Sequence, residues 1–348
     1  RALAALDAPG EGLMPRFTGD FVCEVFRPAG PKMPWSTRVD IDIRDGEAAM
    51  VAFPYHLSGL SGRILVRDDY VQIVDATMKR DGASVVIGGR VDWGREDGKP
   101  EDAADRSPPR VRPNLRVTAV NSPIDQNLLN ALPQTHRQWL HRLGVQGRID
   151  LDGRVTADAP ADEEGNRTNF DFTVKLRDAT LWPNEGTFAL NEVTGELRLR
   201  PETMSLVRVS GRRGDASVVA SGTVSWPQDE PRVQLAIDAT NLLLDNGLYG
   251  ILPPGGREGW NLVRPEGTVD ARISVAGAVG EGQNPGYELT ILPRKLAVTP
   301  TVFPVRFADV TGKVHVTPDR VELTGLIARR GESRITLGGG GDLQGAGA

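Results

Sequence analysis

The side chains of this sequence that could cut, coordinate or transfer are four histidines, paired carboxylates, glycine-flanked serines and one cysteine. His136 and His141 stand five apart, whereas two zinc ligands on one helix face stand four apart. With a single cysteine there is no thiolate set for structural zinc, so solvated helix positions are the simpler reading. His315 lies between Val314 and Val316, on the polar parity of an alternating stretch, which predicts a surface position. Asp40 with Asp42, and Asp150 with Asp152, are i, i+2 pairs that a strand turns to one side. They alternate with aliphatics, so that side faces water; calcium would need an Asx-rich loop closed by a distal Glu, and none follows. Ser58, Ser61, Ser210 and Ser221 sit beside turn glycines, outside any G-x-S-x-G elbow. Gly277, Gly280 and Gly282 are followed by Pro285, which reads as a surface turn, and Gly338–Gly341 lacks the Lys-Ser/Thr of a phosphate loop. Cys23, between Val22 and Glu24, reads as a packing residue. Glu96, Asp97, Glu101, Asp102 and Asp105 form a solubilising acidic loop, and Asn166-Arg167-Thr168 is a glycosylation sequon only in a secretory setting. The expectation is a protein that is not an enzyme and has no metal and no cofactor.

The elements that carry these residues follow from composition. The 348 residues include 40 glycines and 25 prolines, well above the usual combined share of about 12%. Gly and Pro are the poorest helix residues, which argues against a helical bundle. Aromatics are 5% and hydrophobics 39%, the latter below the usual range of about 45–50%. The net charge of −5 comes from interspersed signs, without the basic stripe of a nucleic-acid binder or a polybasic membrane cluster. One cysteine forbids an internal disulfide. No apolar run approaches the length of a membrane helix. The start at Arg1 and the glycine-rich end read as a piece of a longer protein, with any anchor or targeting signal expected elsewhere.

An internal repeat organises the chain. Leu57–Trp93, Leu190–Trp226 and Phe307–Leu343 align without a gap at offsets of 133 and 117 residues. Gly62, Gly195 and Gly312 correspond, as do Gly89, Gly222 and Gly339. A second block repeats at an offset of 120: Asp125 matches Asp245, and Leu132-Pro133 matches Leu252-Pro253. The units expected are 1–143, with a helical linker at 123–143, then 144–263, with a short helix near 242–252, and a truncated 264–348.

Inside each unit the period is two. Leu197 and Leu199 alternate with Glu196, Arg198 and Arg200, and Val39, Ile41 and Ile43 alternate with Asp40 and Asp42. Asp68-Asp69, Pro201-Glu202 and Pro318-Asp319 supply equivalent tight turns, so the strands form a meander. Pro123–Leu143 reads as helix, capped by Asp125 and broken at Pro133. Arg95–Arg112 and Ala159–Asn169 read as polar surface insertions. About six strands per unit, spaced about 4.8 Å apart, predict an elongated sheet.

The equivalent aliphatics would then line one face. They are Ile64, Leu197 and Val314; Val66, Leu199 and Val316; Val71, Met204 and Val321; and Ile73, Leu206 and Leu323. The next strand adds Val85, Val218 and Ile335, and Ile87 and Leu337. Trp93 and Trp226 either cap the edge of that face or end the sheet. An apolar face needs a cover, and one short helix per unit is too little for about six strands. Two readings stay open: an ordinary covered core, or an uncurtained trough that binds acyl chains.

The run Leu190–Val224, with its glycines and alternating aliphatics, resembles the AsmA-like superfamily of repeating β-groove proteins of bacterial envelopes. Asp125–Gly147, with Leu132-Pro133 and Trp139, is similar to the linkers between units of that superfamily. The resemblance extends over most of Phe17–Leu343. It implies an all-β fold: an elongated, curved antiparallel β-sheet, a repeating β-groove, with short helices between units. It also implies a periplasmic segment, inner-membrane anchored through a part not present here, that moves or organises phospholipids between inner and outer membranes. Phospholipid acyl chains would be the ligand, inner- and outer-membrane proteins the further partners, and nucleic acid none. The alternative is a structural or adhesive β-repeat scaffold that binds protein or glycan partners through its loops.

Overall fold

The computed structural model describes residues 16–27, 29–30, 35–48, 57–80, 82–94, 110–132, 134–157, 169–183, 186–227, 230–280, 283 and 285–343. Of these, 71% are strand and 11% helix, so the chain is all-β, an antiparallel sheet that is not closed, with few short helices. The strands in chain order are β1 (Arg16–Phe26), β2 (Ser36–Ala48), β3 (Leu57–Ser58), β4 (Ser61–Val66), β5 (Tyr70–Arg80), β6 (Ala83–Gly94) and β7 (Arg110–Pro123). Helices α1 (Gln126–Ala131) and α2 (Gln134–Leu143) follow, then β8 (Val145–Thr156), β9 (Asn169–Leu181), β10 (Leu190–Arg200), β11 (Thr203–Arg213), β12 (Ala216–Ser225) and β13 (Arg232–Leu244). Helices α3 (Asn246–Ile251) and α4 (Pro254–Val263) precede β14 (Pro265–Ala278), β15 (Gly286–Val298), β16 (Phe307–Val316), β17 (Arg320–Arg330) and β18 (Ser333–Asp342).

The repeat reappears element by element. β5, β11 and β17 begin and end at equivalent positions, and so do α1 with α3 and α2 with α4. The backbone N–H groups of Trp93, Trp226 and Leu343, equivalent in sequence, donate to the carbonyls of Asp69, Glu202 and Asp319 at 2.9, 2.9 and 2.7 Å. Each bond ties the end of the third strand of a block to its first turn. Gly59, Glu192 and Asp309 occupy one repeat position and share positive φ, at 67°, 52° and 50°.

The chain divides into two compact units. One is Arg1–Arg137, Arg148–Lys175 and Leu199–Pro201; the other is Gln138–Gly147, Leu176–Arg198 and Glu202–Ala348. In the first, β2 pairs with β1 on one side and with β3 and β4 on the other, and β4 to β8 pair in succession, all antiparallel. In the second, β11 to β18 pair in succession, again antiparallel. This is the meander that short turns allow.

Most of these pairings carry a register shift, as between Arg63 and Ile64, Ala239 and Leu242, or Thr268 and Val269. Such bulges increase local twist and bend the strand. Two glycines show why the repeat needs that residue. Gly62 (φ +147°) and Gly267 (φ +116°) leave so little room that an added Cβ would lie 1.7 Å from the Asp75 carbonyl oxygen and 1.8 Å from that of Lys295. Only a residue without Cβ permits this approach at that φ.

Several sequence expectations are revised. Leu242–Leu244 belong to β13, so the helix near 242–252 starts at Asn246, where the Asp245 cap sits. A further helix, α4, was missed: its proline-and-glycine-rich sequence is a poor helix former, and contacts with α3 support it. Arg257 donates to the Gly250 carbonyl at 2.7 Å, Asn261 bonds the Tyr249 hydroxyl at 3.2 Å, and Trp260 meets Tyr249 edge-on at 5.8 Å. Arg110–Arg112 and Asn169 lie in strands β7 and β9; the remainder of the two polar insertions, the acidic loop, the sequon and His56 lie outside the described residues. Gly338–Gly341 belong to β18. Cys23, opposite Val39 of β2, is exposed on β1 and is not a packing residue.

Candidate functional site: the apolar face of the sheet

In the first unit, the register places Val66 beside Val39 and Val71, Ile64 beside Ile41 and Ile73, Ile87 beside Ala76 and Val85 beside Met78. Val39, Ile41, Ile43, Leu60, Val66, Ala76 and Met78 form a buried cluster, with Ile64, Val71, Ile73, Val85, Ile87 and Trp93 packed on it. Thus all six aliphatics nominated there from the sequence come together on one face. Trp93 adds its ring to that cluster and donates its indole N–H to the Asp68 carbonyl at 3.0 Å, which holds the first turn of the block.

The second unit repeats the arrangement across more strands. One row runs Val209, Ala220, Ile237, Ile273, Leu289, Val316, Val321; the next runs Val218, Ala239, Ala271, Ile291, Val314, Leu323. Met204 is buried beside Val224; Leu206, Val314, Val316, Val321, Leu323 and Ile335 are half-buried, and Leu337 is 54% exposed, on β18 beside Leu326. Leu197 and Leu199 are half-buried on β10. Ile237, Ile273 and Leu289 were not nominated because β13 to β15 lie between the aligned blocks. Their alternation, as in Val233, Leu235 and Ile237, was the signal that would have found them.

One end of this second face has a cover. Leu248 of α3 is buried with Ala239, Leu242, Val269, Leu296 and Val310, while Ile251 and Trp260 pack against the same cluster. The sequence starts the helix there for a local reason. Asp245 accepts the Leu248 N–H at 3.0 Å, as Asp125 accepts that of Leu128 at 2.8 Å in α1. Arg213 reaches Asp245 at 2.8 Å and also lies over the Phe188 ring, at 4.8 Å. Burial pushes the Asp245 carboxyl up, but the Leu248 N–H and Arg213 outweigh it and hold the group below its ordinary range.

The opposite face is wet and laced with ion pairs. Asp40 pairs with Arg67 at 2.9 Å and Arg63 at 3.2 Å, Asp152 with Arg116 at 3.1 Å and Asp238 with Arg272 at 2.6 Å. Asp270 takes Arg294 and, in addition, the Asn241 backbone N–H at 2.9 Å. The arginine bonds hold Asp40, Asp152 and Asp270 below the usual carboxylate range. The carboxylate pairs singled out in the sequence are thus engaged by arginine or backbone: Asp150 accepts the Asn121 N–H at 2.9 Å. His315 is half-buried and bonds the Thr290 hydroxyl at 3.2 Å. Among the described residues, no three His, Cys, Asp or Glu side chains gather into a metal-binding group.

What this arrangement offers chemically is a two-sided sheet, with aliphatic rows on one side and charge pairs on the other. No family model, curated protein or solved structure matches the chain. No helix among the described residues is long and apolar enough to cross a membrane.

Proposed function

We propose that the aliphatic rows bind phospholipid acyl chains, and that the chain is a segment of an AsmA-like envelope protein that carries or organises lipid between membranes. The observation that supports this reading most is the half-burial of Ile237, Ile273, Leu289, Val316 and Val321, one row that crosses β13 to β17. In the same unit Leu242 and Val269, which pack with Leu248 of α3, are buried, whereas these five are not. Helices α3 and α4 pack on the cluster of Leu242 and Val269, further along the same strands, which contains none of these five. A lipid tail laid along it gains about 0.8 kcal/mol per methylene removed from water. Dispersion contacts carry no headgroup information, so selectivity among lipids is low and the protein binds rather than catalyses. On this reading the chain works in the periplasm, anchored to the inner membrane through a segment outside this sequence, and meets membrane proteins at either side.

The test is lipid capture. Photo-crosslinkers at Ile273 and Val316 are expected to capture phospholipid, and those at Ser274 and Thr317 are not. Leu199→Asp is expected to lower the phospholipid that co-purifies. Protein that carries no phospholipid, or equal capture from both faces, overturns the reading.

A further inference from the structure

We propose that the corner between the end of α4 and the segment 299–305 is a docking patch that seats on an anionic bilayer surface. Two backbone bonds build the corner: Thr299 N–H donates to the Val263 carbonyl at 3.0 Å, and Thr301 N–H to that of Leu262 at 2.9 Å. The chain segments are therefore fixed to each other, and Pro300 and Pro304 restrict the tip further. On this frame four large apolar side chains face solvent: Leu262 at 51%, Val263 at 38%, Val302 at 84% and Phe303 at 57% exposed. Phe303 stacks on Phe307, centroids 6.2 Å apart, and Phe307 packs on the buried cluster of Leu296 and Val310. The tip is thus braced against the core of its unit.

Charge selects the occupant. Neither Asn261–Arg264 nor Thr299–Arg306 contains an acidic residue, and each segment ends in arginine. Arg306 is paired with Glu266 at 3.1 Å, while Arg264 is exposed and, among the described residues, forms no ion pair. Glu266 neutralises Arg306 and Glu258 stands one turn before Leu262 on α4, so the attraction rests on Arg264; exposed apolar side chains beside that cation match the boundary between acyl chains and anionic headgroups. A protein partner that buries about 800 Å² per side would need a broader surface than these four side chains. The inference stands on this corner and does not require that the sheet face hold lipid.

The experiment uses the full chain with Cys23→Ser, and Val302→Cys carrying an environment-sensitive dye. With vesicles of phosphatidylcholine and phosphatidylglycerol, the dye is expected to shift to the blue, and the same dye at Ser274→Cys, on an exposed strand position, is not. In flotation, Val302→Asp with Phe303→Asp is expected to weaken vesicle binding about tenfold or more, with circular dichroism unchanged. Arg264→Gln is expected to remove the preference for anionic over pure phosphatidylcholine vesicles. Co-purified phospholipid is expected to be the same in the double variant and the parent, which separates the patch from the lipid-binding face. Equal flotation of parent and double variant overturns the proposal, as does a blue shift that appears without vesicles together with concentration-dependent association in light scattering.

Discussion

The backbone N–H of Asn241 donates to Oδ1 of Asp270 at 2.9 Å, and 120 residues earlier Asn121 makes the same bond to Asp150 at the same distance. Both asparagines have positive φ, at 54° and 56°, where the register of their strands shifts. The acceptor carboxylate fixes the bulge, and Asn tolerates the left-handed backbone that the bulge requires. Replacing Asp270 by Asn removes the charge from both its bonds, to Asn241 and to Arg294. Chemical denaturation is expected to register a loss of about 1–2 kcal/mol.

The same carboxylates set an acid limit. Folding holds Asp40, Asp152 and Asp270 below the ordinary Asp value of 3.8. As pH falls, the unfolded chain therefore takes up protons before the folded one does. The contribution is complete above the ordinary value and is lost as pH drops through it toward the lowered folded values. Melting temperature is expected to hold between neutral pH and about pH 5 and to fall below about pH 4. In Asp270→Asn that acid-side loss is expected to be smaller; an identical pH profile would rule out this carboxylate as a source.

Gly267 carries a steric requirement with no side-chain contact behind it. Gly267→Ala places a methyl group against the Lys295 carbonyl and asks an L-residue to hold φ +116°. The expected cost is about 3 kcal/mol or more, read from the urea midpoint. Gly214→Ala, with nothing within 4 Å of its added Cβ, is expected to cost less, about 1 kcal/mol from its φ of +56° alone.

Asp245 joins the end of β13 to α3. Asp245→Ala removes the cap to Leu248 and the ion pair with Arg213 together. A loss of about 1–2 kcal/mol is expected. Amide exchange at Leu248 is expected to accelerate more than exchange in β12, because the helix frays before the sheet does.

The two halves of the second apolar face respond differently to charge. Val269 is 3% exposed beneath the α3 and α4 cover, so Val269→Asp is expected to unfold the unit. Ile273, two rungs along the same strand, is half-buried. Ile273→Asp is expected to leave a cooperative melt with a modest loss and to lower bound phospholipid. Equal destabilisation by the two variants would mean that the face is covered along its whole length.

The strand ladder was legible in the residues themselves. Alternation marked Val39, Ile41 and Ile43 as one side of a strand, and all three are buried. The offsets that align the glycines also align strand ends, because a bulge glycine and a turn fix where a strand starts and stops. Cys23 and α4 were not legible, for a shared reason. Whether a short apolar stretch is buried or exposed depends on which strand lies beside it, and a glycine-rich helix exists by virtue of its contacts with Tyr249 and Gly250. The face itself divides the same way. Its aliphatic rows are written in the alternation of every strand, since a two-residue period leaves a side chain no other side to take. Which part of those rows α3 and α4 cover, and which part stays half-exposed, was decided only by the fold, because that depends on where the chain brings its helices back over the sheet.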